Sequence, residues 1–274
     1  MDAVYLPDWI RRLRKAEVTS RVRNDPRSVD NSLFGMELSE AQQAIGGGQA
    51  DFDAFHGGLS PDDLALLYAY LNQLGHLEEL VEAFRQYFER SSPSNPIVLD
   101  VGCGPFTGGL ALAATLREPR FDYIGVDSAE SMRRLGERLA SSDLVPGGVA
   151  RHWAAALDAV SWPYPLRWRE VVVIFSYLFA SPTVDGDEIF HDLNELLKRI
   201  GRGGITLLYT NSVREMANRA YPAFRDKLLG AGFRNVAEAE GEIVVDRLHG
   251  QRQRPLRYAM FRRDPLTTLQ LGEE

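Results

Sequence analysis

The sequence predicts an α/β protein: a doubly wound, mostly parallel seven-stranded sheet with an antiparallel last strand, preceded by a helical N-terminal extension. Three observations carry this. From Ile97 onward, short apolar runs alternate with segments of helical periodicity, the pattern of a parallel sheet covered on both faces. The run Val171-Val172-Val173-Ile174-Phe175 is unbroken and apolar, as in a strand buried on both sides. The first unit, Pro96 to Gly109, passes from an apolar run through closely spaced glycines into an apolar helix-like segment, Leu110 to Leu116. That is how a buried strand turns into a helix whose first turn faces a ligand.

Taken in order, residues 1–95 read as helical. Trp9 to Val22 is a basic helix, followed by a polar turn at Asn24-Asp25-Pro26, and Leu38 to Ile45 is a short helix closed by Gly46-Gly47-Gly48. Ser60-Pro61-Asp62-Asp63 combines a cap, a first-turn proline and acids that favour the helix dipole. The helix it starts buries Leu64, Leu67, Leu71 and Leu74, falters at Gly75, and resumes through Leu77, Leu80, Val81, Phe84 and Phe88. Ser91 to Pro96 breaks the chain before the core.

The core, residues 96–264, then runs strand Ile97–Val101, helix Thr107–Arg117, strand Tyr123–Asp127 and helix Ala129–Leu139, with Ser128 as the expected cap. A weaker strand near Val149–Trp153 and the Val171–Phe175 strand follow, with a helix through Ile189 to Ile200. Strand Ile205–Tyr209, a helix from about Val213 to Leu229, and two strands, Asn235–Val245 and Leu256–Arg262, joined by a polar loop, complete it. Residues 265–274 read as a tail.

The glycine loop carries the chemistry. Gly102 and Gly104 let backbone approach a ligand without Cβ collisions, and Gly108 lets helix and strand pack closely. Asp100 lies near the end of the first strand and Asp127 ends the second, placed to accept hydrogen bonds from a ribose diol. A dinucleotide site wants G-x-G-x-x-G; here the third glycine comes one residue late, and Asp100 would repel a pyrophosphate but suit a cationic amine. No Tyr-x-x-x-Lys exists for a nicotinamide-dependent reductase: Arg11, Asn194 and Ala223 precede Lys15, Lys198 and Lys227 by four.

Asp-x-Gly-x-Gly followed by Gly125-Val126-Asp127 resembles the class I S-adenosylmethionine-dependent methyltransferases, Rossmann-like enzymes, over about residues 96–263. The resemblance implies S-adenosylmethionine as cofactor, with Asp100 and the Gly102–Gly104 loop at its methionine end and Asp127 at its ribose. Met132 matches a methionine the family often has five positions after that acid, and Ser128 stands where an apolar residue usually meets the adenine. No acid occupies the adenine position after the third strand, so Trp153 is the candidate to stack on the ring. Phe106 stands where many members have glycine, and Ser176-Tyr177 closes the fourth strand, which the resemblance places facing the transferable methyl. Tyr177 reads as a residue that binds substrate, lines the sulfonium pocket or simply packs. His56, between Phe55 and two glycines, is the chosen general base among the five histidines. No histidine pair has helical metal-ligand spacing with an acid, so no metal site is expected.

Composition bounds the partners. Hydrophobic residues at 45% and charged residues at 25% are ordinary for a globular protein. The net charge of −7 disfavours broad attraction to nucleic acid, although arginines crowd both ends of the chain. One cysteine, Cys103, excludes an internal disulfide framework. No apolar run approaches the ~20 residues of a spanning helix, so no membrane partner and a cytoplasmic location are expected. The expected activity is methyl transfer to a small molecule; the alternatives are a regulatory protein that binds the cofactor without turnover, and a protein or RNA methyltransferase. The acceptor atom and oligomeric state are not legible.

Overall fold

The computed structural model describes residues 4–88, 93–116, 119–146, 150–161, 169–200, 203–247 and 250–265. Five consecutive buried positions put Ile97–Val101 (β1) at the centre of the sheet. β1 pairs in parallel with Asp122–Val126 (β2) on one side and with Val171–Ser176 (β4) on the other. Arg151–Ala154 (β3) lies outside β2, and Ile205–Asn211 (β5) lies outside β4, both parallel. Gly250–Arg263 (β7) runs antiparallel to β5, and Arg234–Arg247 (β6) pairs antiparallel with β7. The order β3-β2-β1-β4-β5-β7-β6 gives the predicted sheet, antiparallel at its closing strand. It also reverses direction between β1 and β4, and ligands of open α/β sheets bind outside the strand ends at such a switch point.

Each face has its own core. Helices Gly186–Ile200 (α8) and Tyr221–Gly230 (α9) bury Leu193, Leu197, Phe224 and Leu228 against Val173, Phe175 and Leu207. On the other face, Thr107–Thr115 (α6) and Glu130–Ala140 (α7) join the N-terminal extension in one continuous cluster. Ile10, Leu13, Leu67, Leu80 and Phe84 of the extension belong to the same cluster as Leu110, Leu112, Leu135 and Leu139.

Within the extension, Asp8–Arg14 (α1), a π-helical turn at Lys15–Thr19 and Ser20–Arg23 (α2) form one run, followed by Leu38–Ala44 (α3). Ser60 then opens Pro61–Tyr68 (α4) through a reciprocal cap. Its hydroxyl accepts from the Asp63 N–H at 3.2 Å, and its own N–H donates to Asp63 Oδ2 at 3.0 Å. The irregularity expected at Gly75 falls earlier, as a π-helical turn at Ala69–Gln73. Gly75 itself lies inside the resumed helix Leu74–Phe88 (α5), where a Cβ would collide with the Arg254 guanidinium.

Three expectations need correction. The helix expected from about Val213 begins only at Tyr221, next to Pro222. The chain before it is held out of a helix by side-chain amides: Asn211 Nδ2 donates to Ala217 O at 2.8 Å, and Asn218 Nδ2 to Ser212 O at 2.7 Å. Secondly, Ser128 does not cap α7; it is exposed, and Asp53 of the extension accepts from the Glu130 and Ser131 N–H groups at 2.8 and 2.9 Å. Thirdly, the two final strands are far longer than predicted, pairing from Arg234 with Arg262 out to Arg247 with Gly250. Only Arg257–Arg263 of β7 pairs with β5, so most of the hairpin projects beyond the sheet. There its Ile243, Val245 and Leu256 pack into the extension's cluster, and the Val4 N–H donates to Val244 O at 2.8 Å. The start of the predicted third strand at Val149 and the 265–274 tail beyond Pro265 lie outside the described residues.

Candidate functional site

β1 ends in a loop with three left-handed residues, Gly102 (φ 71°), Gly104 (φ 50°) and Phe106 (φ 65°). Glycine takes this conformation freely, whereas phenylalanine is strained and needs its ring held. The Phe106 ring is fully buried, edge-on to Tyr123 at 4.7 Å and to Trp153 at 6.0 Å. It anchors the loop from beneath and does not line the crevice. Met132 is likewise in the core, and the Trp153 ring packs over Gly125 and Gly136, between β2, β3 and α7.

The loop's N–H groups are already satisfied. Gly102 and Cys103 donate to Val126 O at 2.8 and 3.1 Å, and Gly104 donates to Asp127 Oδ2 at 2.8 Å. Asp127 Oδ1 accepts from the Ala129 N–H at 3.0 Å. Burial pushes the Asp127 carboxyl up, with the Gly104 and Ala129 N–H groups and the Arg133 charge opposing it. Asp100 is 2% exposed and accepts from the Tyr123 hydroxyl at 2.7 Å and from the Gly108 N–H. A Cβ at Gly108 would overlap the Asp100 carboxylate, so glycine is what lets the acid sit in the first turn of α6. Burial, with the Asp127 charge adding, raises Asp100 from 3.8 to about 7, against the pull of Tyr123 and Gly108.

The extension forms the opposite wall. π-helical turns cluster at functional sites because the inserted residue re-aims the side chains around it. Here Gln73, fully buried, donates to Pro105 O at 2.8 Å and accepts from Arg14, clamping the extension to the glycine loop. Tyr68, just before the π turn, lies 3.9 Å from where a Gly104 Cβ would stand. Its hydroxyl meets His76 Nδ1 at 3.2 Å, and the His76 ring stacks on Tyr177 with centroids 4.0 Å apart and planes 19° apart. Burial, then the Arg254 charge, lowers His76 to about 3, so the imidazole is neutral. Burial and the Glu79 carboxylate push the Tyr177 phenol up, and burial with Asp127, Glu79 and Asp100 does the same to Tyr68. Behind them Glu79 is fully buried; its Oε1 accepts from Arg254 Nε and Nη2 at 2.9 and 2.6 Å, and its Oε2 has no hydrogen-bond partner.

Gly102, Gly104, Asp127, Ser128, Ser176 and Tyr177 therefore meet along one partly exposed edge, with Asp100 beneath it. Ser176 Oγ accepts from Thr210 at 3.1 Å. His56 lies apart in an exposed turn, its backbone paired with Leu59. Sequence reasoning did not select Tyr68, His76, Glu79, Arg254 or Asp53. An acid at Glu79 within an otherwise apolar helix face was the one available signal. Asn211, which could equally have touched substrate, is fully buried and donates to Tyr209. Among the described residues no group of three or more His, Cys, Asp and Glu is placed to hold a metal, and no helix is long and apolar enough to cross a membrane. Several terminal arginines are paired: Arg27 forks onto Asp25 and Asp63, and Arg257 bonds Glu240.

No protein-family model and no curated protein matches the chain. Among solved structures it is similar to a Leishmania major S-adenosylmethionine-dependent methyltransferase, 16% identical, over 72% of this chain and 77% of that one, with a TM-score of 0.46. It is similar also to magnesium protoporphyrin IX methyltransferase from Synechocystis with bound S-adenosylhomocysteine (14% identical, 82% and 97% covered, TM-score 0.44). A third is a protein described as converting a disulfide bond into a thioacetal group in echinomycin biosynthesis (21% identical, 67% and 83% covered, TM-score 0.45). The fold is the class I methyltransferase fold. Its strand order and antiparallel β7 state this independently of those likenesses.

Proposed function

We propose that the chain binds S-adenosylmethionine along the carboxyl edge of the sheet and transfers its methyl group to a small-molecule acceptor. One observation carries the choice of ligand: the donors a pyrophosphate needs are taken. The Asp100 carboxylate occupies the first turn of α6, where a phosphate would bind, and the loop N–H groups serve Val126 and Asp127. Acids face the crevice instead, which suits a ligand bearing an ammonium and a sulfonium.

The residues present fit that cofactor. Asp127 keeps acceptor capacity for a ribose diol, with Ser128 beside it. Gly102 and Gly104 allow close approach, and Asp100 supplies negative charge from below. The end of the Leu178 side chain lies 2.8 Å from a Gly102 Cβ position and turns aside at little cost. Phe106, Met132 and Trp153 serve from beneath, by fixing the loop and α7. When bound, S-adenosylmethionine supplies an electrophilic methyl group on a positively charged sulfur. The chain's contribution is alignment and exclusion of water. Residues 1–95 act as the lid over a 96–264 core, with Tyr68 and His76 over the crevice and Tyr177 on its floor. Closure by this wall favours a compact acceptor.

The test is calorimetric titration of the protein with S-adenosylmethionine, S-adenosylhomocysteine and NADH. Saturable binding of the sulfur nucleosides without NADH binding is expected; NADH binding in their place would reject the reading.

A further inference from the structure

The wall that faces the glycine loop has a composition that the cofactor reading leaves unexplained. It presents three neutral aromatic rings, Tyr68, His76 and Tyr177, each partly exposed, chained by the Tyr68–His76 hydrogen bond and the His76–Tyr177 stack. Behind them Glu79 holds a buried carboxylate oxygen with no partner. A buried, unsatisfied acceptor is costly unless a positive or donating group comes near it. Aromatic faces backed by an acid are how proteins recognise sulfonium- and quaternary-ammonium-like cations.

We propose that Tyr68, His76, Tyr177 and Glu79 read the positive charge on the cofactor's sulfur, so that the protein holds S-adenosylmethionine more tightly than the neutral thioether S-adenosylhomocysteine. This rests on the cofactor reading above and names a specificity within it. The location supports it: Tyr177 directly follows β4 and Gly102 directly follows β1, the two strands that flank the switch point. Tyr68 reaches the same loop from above, at Gly104. The neutral state of His76 matters, because an imidazolium would repel the sulfonium. Arg254 is the cation of the cluster, and it donates two N–H groups to Glu79 Oε1, which leaves Oε2. Asp100 and Asp127 keep the surroundings negative; both act electrostatically on Tyr68. Glu79 is fully buried and acts through Tyr177, whose phenol interacts with it, so it is a specificity-determining residue rather than one that touches the reacting atoms.

A consequence concerns turnover. When the methyl group leaves, the sulfur loses its charge, and the box loses its ligand's attraction at the moment the product must depart.

The experiment measures dissociation constants for S-adenosylmethionine and S-adenosylhomocysteine by calorimetry, in the wild type, in Glu79→Gln and in Tyr68→Leu. The wild type is expected to favour S-adenosylmethionine by about tenfold, the scale of one desolvated cation–π contact. Glu79→Gln should bring the ratio toward one by weakening S-adenosylmethionine alone, and Tyr68→Leu, which keeps the buried ion pair, should shift it the same way. Equal or tighter binding of S-adenosylhomocysteine to the wild type overturns the proposal without any variant. Equal weakening of both ligands also overturns it, because it would assign the box to a group the two share, such as the ammonium. If neither compound binds the wild type, the cofactor reading itself falls and takes this one with it.

Discussion

The substitution Asp100→Asn probes the acid that most shapes the site. The native carboxyl is buried and titrates near 7 against 3.8 in an ordinary setting, with burial as the main cause. Between those values the folded state holds a proton that the unfolded state has released. Stability therefore falls as pH rises from about 4 to about 7, and is flat above. At 1.36 kcal/mol per pKa unit, the whole effect is about 4 kcal/mol. Roughly half of it, about 2 kcal/mol, lies between about pH 5.5 and about pH 8. The asparagine side chain does not titrate, and its amide oxygen can still accept from Tyr123. Urea unfolding of both proteins at the two pH values isolates this one group, because every other titration cancels in the difference and any altered hydrogen bond adds a constant. The variant should gain about 2 kcal/mol on the wild type on going from the lower to the higher pH. An unchanged difference, or one of opposite sign, would show that Asp100 is charged throughout and would remove the reasoning built on its burial.

Three further outcomes are expected. Asp127→Ala should weaken S-adenosylhomocysteine binding by ~1–3 kcal/mol, the loss of a charge-assisted hydrogen bond, and an unaltered dissociation constant would contradict its placement at the ribose. Asp53→Ala removes the carboxylate that caps α7 and should cost about 1 kcal/mol, seen as a thermal midpoint about 2–4 °C lower. A midpoint within error of the wild type would mean that solvent replaces the cap. His76 is held neutral, so its NMR shifts should stay flat as pH falls through 6.5. Its lowered value means that it contributes to stability above 6.5, and that the contribution is lost as pH falls toward 3. An inflection near 6.5 would show an imidazole open to water.

The parallel strands and the glycine loop were readable because their signals are local. A buried apolar run, a glycine needed at positive φ and an acid at a strand end all sit within a few residues of one another. The wall opposite was not. Tyr68, His76 and Glu79 lie on a helix whose apolar spacing predicts burial but not the direction a π-helical turn imposes. Arg254 reaches Glu79 from 175 residues away, and no local pattern encodes that meeting. The C-terminal hairpin was cut short in the sequence reading by Gly241 and Pro255, residues that normally end strands. Both lie in the arm beyond the sheet, where a missing N–H or side chain is tolerated. Phe106 and Trp153 were assigned to the ligand because ring-bearing residues near a glycine loop suggest stacking; packing against Tyr123 and Gly136 claimed them instead. His56 was singled out for the glycines beside it, and a turn explains those as well.

The carboxylate that starts α7 comes from 77 positions upstream, which sets an order of events during biosynthesis. The extension emerges first from the ribosome, with an oily side whose counterpart does not yet exist. It must linger, half-assembled or chaperoned, until residues through Ala140 have followed. Floor and roof of the crevice then mature together, so a nascent chain stalled short of that point has neither, and ligand cannot rescue it.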